Sequence, residues 1–443
     1  MPEAERAGAS PREERAAAAE PGWTLPHKIA FRFFCALFVF YYFPYPLTLV
    51  PGTGRLVGFY ADHWNAGVSW VGAHVLHLEG PIAELSNGSG DRLFSWVEYG
   101  CFAANALIAA LIWSVLDRRR AHYRTLHGWL CILLRFQLGE AMLGYGFAKV
   151  IKNQFPAPSA FKLVERVGDL SPMGLLWTFM GYSTAYTFFA GAGEVVGGLL
   201  LFFRRTATLG VLVVIGVMSN VVLMNFSYDV SVKLYSSHLL LMALYLLAPD
   251  LQRLANLLVL NRPVEPKDLR PPYSARGLLL GGYLLKAYLL GSTVYYAASY
   301  NFARHRTVQA DQARSAFNGI WKVEEFTRDG SSAAPLVTDA TRWSQVIVAQ
   351  GRFAQVRHAD DSMSPFGFEE DAQQWLLSPR GPDPKNLPPK QKLASSRPDP
   401  EHLLLEGTFE GARLLVKLKR VDPGSFQLMS RGFHWVNDAP FNR

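Results

Sequence analysis

The chain has 443 residues, 44 Lys and Arg against 36 Asp and Glu, and a formal net charge of +8. Half of it is hydrophobic and only 18% is charged, which excludes a disordered or coiled-coil protein. Its three cysteines, Cys35, Cys101 and Cys131, fall inside apolar runs with no CxxC pair, which argues against a disulfide scaffold, a zinc ribbon or thioredoxin-like chemistry.

Residues 1–22, rich in Ala, Glu, Arg and Pro without periodicity, are expected to form a disordered tail. A bilayer core about 30 Å thick takes roughly 20 apolar residues in a helix. Seven stretches approach that length: 29–49, 94–116, 128–148, 179–203, 207–225, 234–248 and 277–298. The sixth is short, which fits either a bent entrance that starts near Asp229 or a partly re-entrant segment. Basic residues concentrate in alternate connections, at Arg118, Arg119, Arg120 and Arg124, at Arg204 and Arg205, and through 249–276. The positive-inside rule then places the N-terminus in the cytoplasm and the C-terminal part outside an inner membrane. The surplus of positive charge is assigned to orientation, with the lipid bilayer and not nucleic acid as its partner. Connection 50–93, with Trp64, Trp70, His74 and His77, suits an interfacial helix. It closes in the turn-rich Asn87-Gly-Ser-Gly-Asp91, which includes a glycosylation sequon. His74 and His77 lack a firm third ligand, so no metal site is expected.

From about Ala313 short alternating runs replace the apolar ones: 319–326, 343–348, 351–357, 403–409, 413–419 and 426–433, separated by Gly, Pro and Asp turns. The proline-rich 377–400 reads as a loop or lid. Such spacing predicts a small antiparallel β-barrel or sandwich. The expected organisation is a tail (1–22), a transmembrane domain (23–300) and an extracytoplasmic β domain (301–443). Phe433-His-Trp435 is expected in the barrel core, and Trp177, Tyr182 and Tyr186 in an interfacial belt.

Ionisable groups at bilayer depth need a partner or a wet cavity. Glu140 lies in the outer half of the third span, Arg135 lies deeper, and Lys149 ends the same helix. Glu194 is near the middle of the fourth, inside Gly191-Ala-Gly-Glu-Val-Val-Gly197. There Gly193 and Gly197 form a small-xxx-small pair that admits another helix closely. Asn220, Asn225, Tyr228, Asp229, Lys233 and His238 follow around the fifth and sixth spans. Their convergence predicts a shared polar pocket opening outward, with Glu194 or Glu140 suited to proton transfer. The structural alternative makes Arg135–Glu194 and Asp229–Lys233 simple ion pairs fixing register, and Asn220 an interhelical hydrogen-bond donor. No GxGxxG, P-loop, GxSxG or HExxH occurs.

Three resemblances sharpen these expectations. Gly319-x-Trp321, with Arg431 in the last expected strand, resembles the lipocalin/calycin pattern, in which an arginine packs across the tryptophan at the closed end. Gly144-Tyr-Gly-Phe-Ala-Lys-Val-Ile-Lys-Asn-Gln-Phe-Pro156, followed by Phe189-Ala-Gly-Ala-Gly-Glu-Val-Val-Gly-Gly-Leu-Leu-Leu-Phe-Phe-Arg-Arg205, resembles the DoxX/DoxD family of four-helix membrane proteins. That likeness covers about 128–248 and implies a DoxX-like four-helix core; some members are tied to quinone-linked oxidoreductase subunits or redox defence. The same segment more distantly resembles the membrane domain of vitamin K-dependent γ-carboxylase (HTTM) proteins, where a lysine acts as base on a hydroquinone. Lys149 is the matching position, with Lys152 the alternative.

A hydroquinone phenol has a pKa near that of Tyr, about 10, so a neutral lysine in a dry pocket can serve as its base. The expected site has Lys149, Glu194 and Glu140 in catalytic roles. Tyr145, Asn225, Asp229, Lys233 and His238 would bind the ligand, and a quinone head would stack against Tyr145, Phe147 or Tyr228. With no haem, flavin or iron–sulfur motif in the chain, electron transfer would require the bound molecule or a partner membrane subunit. The non-enzymatic alternative is a membrane-anchored binding or assembly protein with a ligand-binding barrel.

Overall fold

The computed structural model describes residues 22–80, 82, 88–267, 269, 275–371, 373–380 and 388–442. The expected tail, apart from Gly22, and Asn87 of the sequon lie outside the described residues. Helices come first: α1 (Leu25–Tyr42), α2 (Gly54–His74), α3 (Leu93–Leu116), α4 (Arg124–Val150), α5 (Ala160–Val164), α6 (Pro172–Tyr182), α7 (Thr184–Leu201), α8 (Ala207–Ser227), α9 (Lys233–Leu247), α10 (Leu251–Leu258) and α11 (Arg276–Ala313).

Among the described residues, five helical stretches are long and apolar enough to cross a membrane: Leu93–Leu116, Thr184–Leu201, Ala207–Ser227, Lys233–Leu258 and Arg276–Ala313. Two of the seven expected spans fall outside this set. α1 carries His27, Lys28 and Arg32, and it stops at Tyr42 instead of 49 because Pro44 and Pro46 follow, and a proline disfavours helix in the residue before it. α4 carries Arg135, Glu140 and Lys149. The expected 179–203 span is two helices broken at Ser183, whose Oγ accepts from the Tyr186 backbone N at 3.2 Å and so caps α7. The 50–93 connection contains α2, in agreement with the helix expected there.

The chain divides into two compact units, 1–142 with 196–290 and 143–195 with 291–443. The first has a core of Phe31 and Phe38 from α1, Leu134, Leu138 and Met142 from α4, Val214 and Met218 from α8, and Met242 from α9. Arg32 is buried beside this core. Its guanidinium donates to Tyr123 Oη (2.8 and 3.1 Å), Ser114 Oγ (2.9 Å) and the Asp117 carbonyl (2.8 Å). The cation is thereby satisfied and pins the basic 117–127 connection to α1.

The second unit carries the β domain. Its strands are β1 (Gly319–Arg328), β2 (Ser331–Ser332), β3 (Trp343–Ala349), β4 (Phe353–His358), β5 (Met363–Asp371), β6 (Gln374–Pro379), β7 (Gln391–Ser396), β8 (His402–Phe409) and β9 (Ala412–Val421). From β3 to β9 each pairs antiparallel with the next, β3 pairs with β1, and β1 pairs with β9 to close an eight-stranded barrel; β2 is a two-residue strand paired antiparallel with the end of β1. Closure decides between the expected barrel and sandwich. The ladder between β1 and β9 runs from Ile320↔Val421 to Arg328↔Leu414. A β-bulge at Val323/Glu325 lets Glu324 and Glu325 both face out. Inward positions hold Trp321, Trp343 and Trp375, all at most 1% exposed, with Phe326, Phe366, Leu405 and Val416. An eight-stranded barrel is just wide enough for side chains to fill, and these fill it.

Several sequence expectations change here. Residues 426–433 are not a strand: Gln427–Ser430 is a single helical turn, α12. With β1 paired on both sides, by β3 and β9, the barrel has no open edge for a further strand. Arg431 therefore lies over Phe441, 4.4 Å from the ring centroid. The guanidiniums over Trp321 belong to Arg420 of β9, at 5.7 Å, and Arg397, at 5.8 Å, while Trp321 Nε1 donates to the Phe317 carbonyl at 2.7 Å. Phe433 and Trp435 are exposed, not core. The expected 377–400 loop includes β7, which pairs with β6 and β8. Residues 381–387 of it lie outside the described residues.

α11 runs past residue 300 to Ala313, and the strands start at Gly319. The connection after α4 joins the same unit. Val164 of α5 packs with Ile320 and Ile347, Arg357 donates to the Val164 carbonyl at 3.2 Å, and Arg166 pairs with Asp361. Asn153 Nδ2 donates to Asn301 O (2.6 Å) and Oδ1 (2.9 Å) on α11.

Candidate functional site

Lys149 is the penultimate residue of α4, and Glu194 lies in the middle of α7. Its Nζ donates to both carboxylate oxygens, at 2.7 and 2.8 Å, and the two side chains are 7% and 3% exposed. Two glycines make the approach possible. A Cβ on Gly191 would stand 2.7 Å from Lys149 Cβ and 2.8 Å from the Gly146 carbonyl; one on Gly146 would stand 2.9 Å from Val195 N. α4 and α7 thus touch backbone to backbone at Gly146 and Gly191. The sequence had singled out Gly193 and Gly197 as a surface that another helix could approach closely, and Gly197 does meet one: a Cβ there would stand 2.8 Å from Val214 Cγ2 of α8.

Tyr145, one turn before Lys149, holds its ring centroid 5.5 Å from the ammonium. Arg135 is not the partner of Glu194: its Nε and Nη2 donate to the Leu201 carbonyl at 2.9 and 2.6 Å. Lys152, the other candidate base, adopts a positive φ of 61° and donates to Thr184 Oγ1 at 2.5 Å.

The remaining expected residues belong to the other unit. α9 starts from a bend in which Asp229 has φ 50°. Lys233 Nζ stands 2.7 Å from Asp229 Oδ1 and 3.7 Å from Asp91 Oδ2, but the Asp229 side chain is 83% exposed. Asp91, which the sequence placed only in a turn, caps the helix from outside. Its Oδ2 accepts from Lys233 N at 2.8 Å and its Oδ1 from Leu234 N at 2.9 Å. A carboxylate there satisfies orphan N–H groups and meets the positive end of the helix dipole. Asp91→Ala is expected to cost about 0.5–2 kcal/mol, the range of a lost cap; a lowered thermal midpoint of the purified chain checks it, and an unchanged midpoint refutes the capping role.

Asn225 donates to Ser236 Oγ at 3.0 Å, which in turn donates to the Lys233 carbonyl at 3.0 Å, so its amide ties α8 to α9. His238 is buried, with Nδ1 3.1 Å from Tyr99 Oη and its ring stacked on Tyr41 at 3.7 Å. Its Nε2 has no hydrogen-bond partner among the described residues. Glu140 is exposed, makes no ion pair among the described residues, and lies within electrostatic reach of Tyr42 and Tyr45. The structure thus brings Lys149, Glu194 and Tyr145 together. It groups Asn225, Asp229 and Lys233 around the α8–α9 bend.

Sequence reasoning missed Asp91, Arg32, Gly146 and the Tyr41/Tyr99 surround of His238. Arg32 carried a signal, a cation inside an apolar helix. Asp91 carried none, since its partners are backbone groups 142 and 143 residues away.

No family model matches the chain, and no solved structure matches it. It is 36% identical over 108 residues to a Bacillus subtilis (strain 168) protein described as "Uncharacterized protein YwoB". That match takes in 24% of this chain and 67% of the relative. On that identity and coverage, the chain belongs to the same family as YwoB.

Proposed function

We propose that this is an inner-membrane protein, N-terminus inside and barrel outside, that binds a quinone-like or lipid molecule beside the Lys149–Glu194 pair and moves a proton there. One observation carries the reading: two opposite charges sit almost fully buried at 2.7 Å between close-packed glycines, with a tyrosine ring alongside. Burying each charge costs several kcal/mol of solvation, which mutual attraction only partly returns. Transfer of one proton from the ammonium to the carboxylate turns the pair into a neutral amine and a carboxylic acid. The amine lone pair can then accept a phenol proton from a hydroquinone, leaving ammonium, carboxylic acid and phenolate. The DoxX-like and γ-carboxylase-like resemblances, which single out Lys149, point the same way.

The check is organic extraction of the purified chain followed by mass spectrometry. A quinone or a specific lipid near one per chain is expected, and its loss on replacing both Lys149 and Glu194 by Met. A stable preparation with no such molecule refutes the proposal. The rival reading, an anchored assembly protein with a structural ion pair, is favoured by the completeness of the pairing, since both carboxylate oxygens are already engaged.

A further inference from the structure

Within the unit built from 1–142 and 196–290, a cavity of about 290 Å³ lies where α4 and α8 begin and α9 ends. Three cations line it, Arg135, Arg204 and Lys267, against one buried carboxylate, Asp250. Asp250 is already committed: it accepts from Thr208 Oγ1 at 2.7 Å and pairs with Lys267. The two arginines have no carboxylate among the described residues. Arg135 spends Nε and Nη2 on the Leu201 carbonyl, and Arg204 donates Nη1 to the Leu269 carbonyl at 3.2 Å. Lys286, its Nζ 4.2 Å from the Phe203 ring centroid, lies within electrostatic reach of both arginines. The recess therefore holds two unneutralised guanidiniums, and a further cation adds to its field. Ile132, Val211 and Leu246 form an apolar wall beside them.

We infer that this recess binds the phosphate of an anionic phospholipid headgroup. A planar guanidinium donates in a fork that matches phosphate oxygens, and an anion between two like charges relieves their repulsion in a medium where it is weakly screened. Basic pockets between membrane helices on the cytoplasmic side take such headgroups, and this end of the helices carries Arg118, Arg119, Arg120 and Arg205. The apolar wall suits the glycerol and first acyl carbons, which a soluble phosphate lacks.

The test compares the full chain in phosphatidylcholine vesicles with and without phosphatidylglycerol, and in the first with millimolar inorganic phosphate. Phosphatidylglycerol is expected to raise the thermal midpoint and to stay bound in native mass spectrometry where phosphatidylcholine does not. Arg204→Gln, which among the described residues gives up one hydrogen bond, to the Leu269 carbonyl, should weaken phosphatidylglycerol retention about tenfold, equivalent to about 1.4 kcal/mol, and Arg204→Lys should restore part of it. Equal retention of both lipids by the wild-type chain, which needs no variant to fold, overturns the inference. So does unchanged retention in folded Arg204→Gln. Stabilisation by inorganic phosphate equal to that by phosphatidylglycerol overturns the lipid assignment and makes the ligand a soluble phosphate.

Discussion

Glu194→Gln is expected to abolish most folded yield, and replacing both Lys149 and Glu194 by Met to bring it back. The single change leaves the Lys149 ammonium buried with no anion, and breaking a buried pair from one side costs about 3–5 kcal/mol. That is a large part of the 5–15 kcal/mol a folded domain typically has. Methionine at both positions removes both charges and fills much of the same volume, a change that is often neutral or stabilising by about 1–4 kcal/mol. The double variant therefore separates structure from function. If it is folded and still retains the extracted molecule or the proton-transfer activity, the pair is only a pin between α4 and α7. If it is folded and empty, the pair is the site. Folded yield by size exclusion and bound ligand by mass spectrometry are the two readouts.

Trp321→Ala is expected to destabilise the barrel by about 3–5 kcal/mol, the cost of removing a large aromatic from a core that cannot fully collapse. Trp321 is fully buried among residues from around the barrel, so the cavity would be left inside a closed ring of strands. Arg420→Ala should cost less, about 0.5–1 kcal/mol for an exposed guanidinium over a ring, and Arg431→Ala should leave the barrel unchanged. Tryptophan near-ultraviolet circular dichroism during denaturation of the full chain reports all three. A larger loss for Arg431→Ala than for Arg420→Ala would contradict the assignment of the packed arginine to β9.

The helical part was legible because an apolar run of about 20 residues has few other fates. Its ends were not. Pro44 and Pro46 stop α1 early, and Ser183 splits 179–203, since local capping and proline sterics outrank average hydropathy there. In the β part, 319–326, 343–348, 351–357, 403–409 and 413–419 showed their alternation and became strands. β5, with Pro365 and Gly367 inside it, and β7, in a proline-rich surround, did not show theirs. Each is held by a ladder on both sides, β5 by β4 and β6, and β7 by β6 and β8. The stretch 426–433 had the pattern of a strand but found no edge to join.

At the site, Lys149 and Glu194 stood out singly because charge at membrane depth demands an answer. Which charge meets which did not, because a helical wheel gives the face of a side chain and not the helix it faces. The sequence by itself determined an apolar helical part, a β part after it, and the residues whose charge must be neutralised, all consequences of local composition and period. Only the tertiary structure decided that Lys149 meets Glu194, that Asp91 caps α9, and that β9 closes on β1. Each of these joins groups distant along the chain, through backbone contacts between glycines or through hydrogen bonds, and no local pattern encodes such contacts.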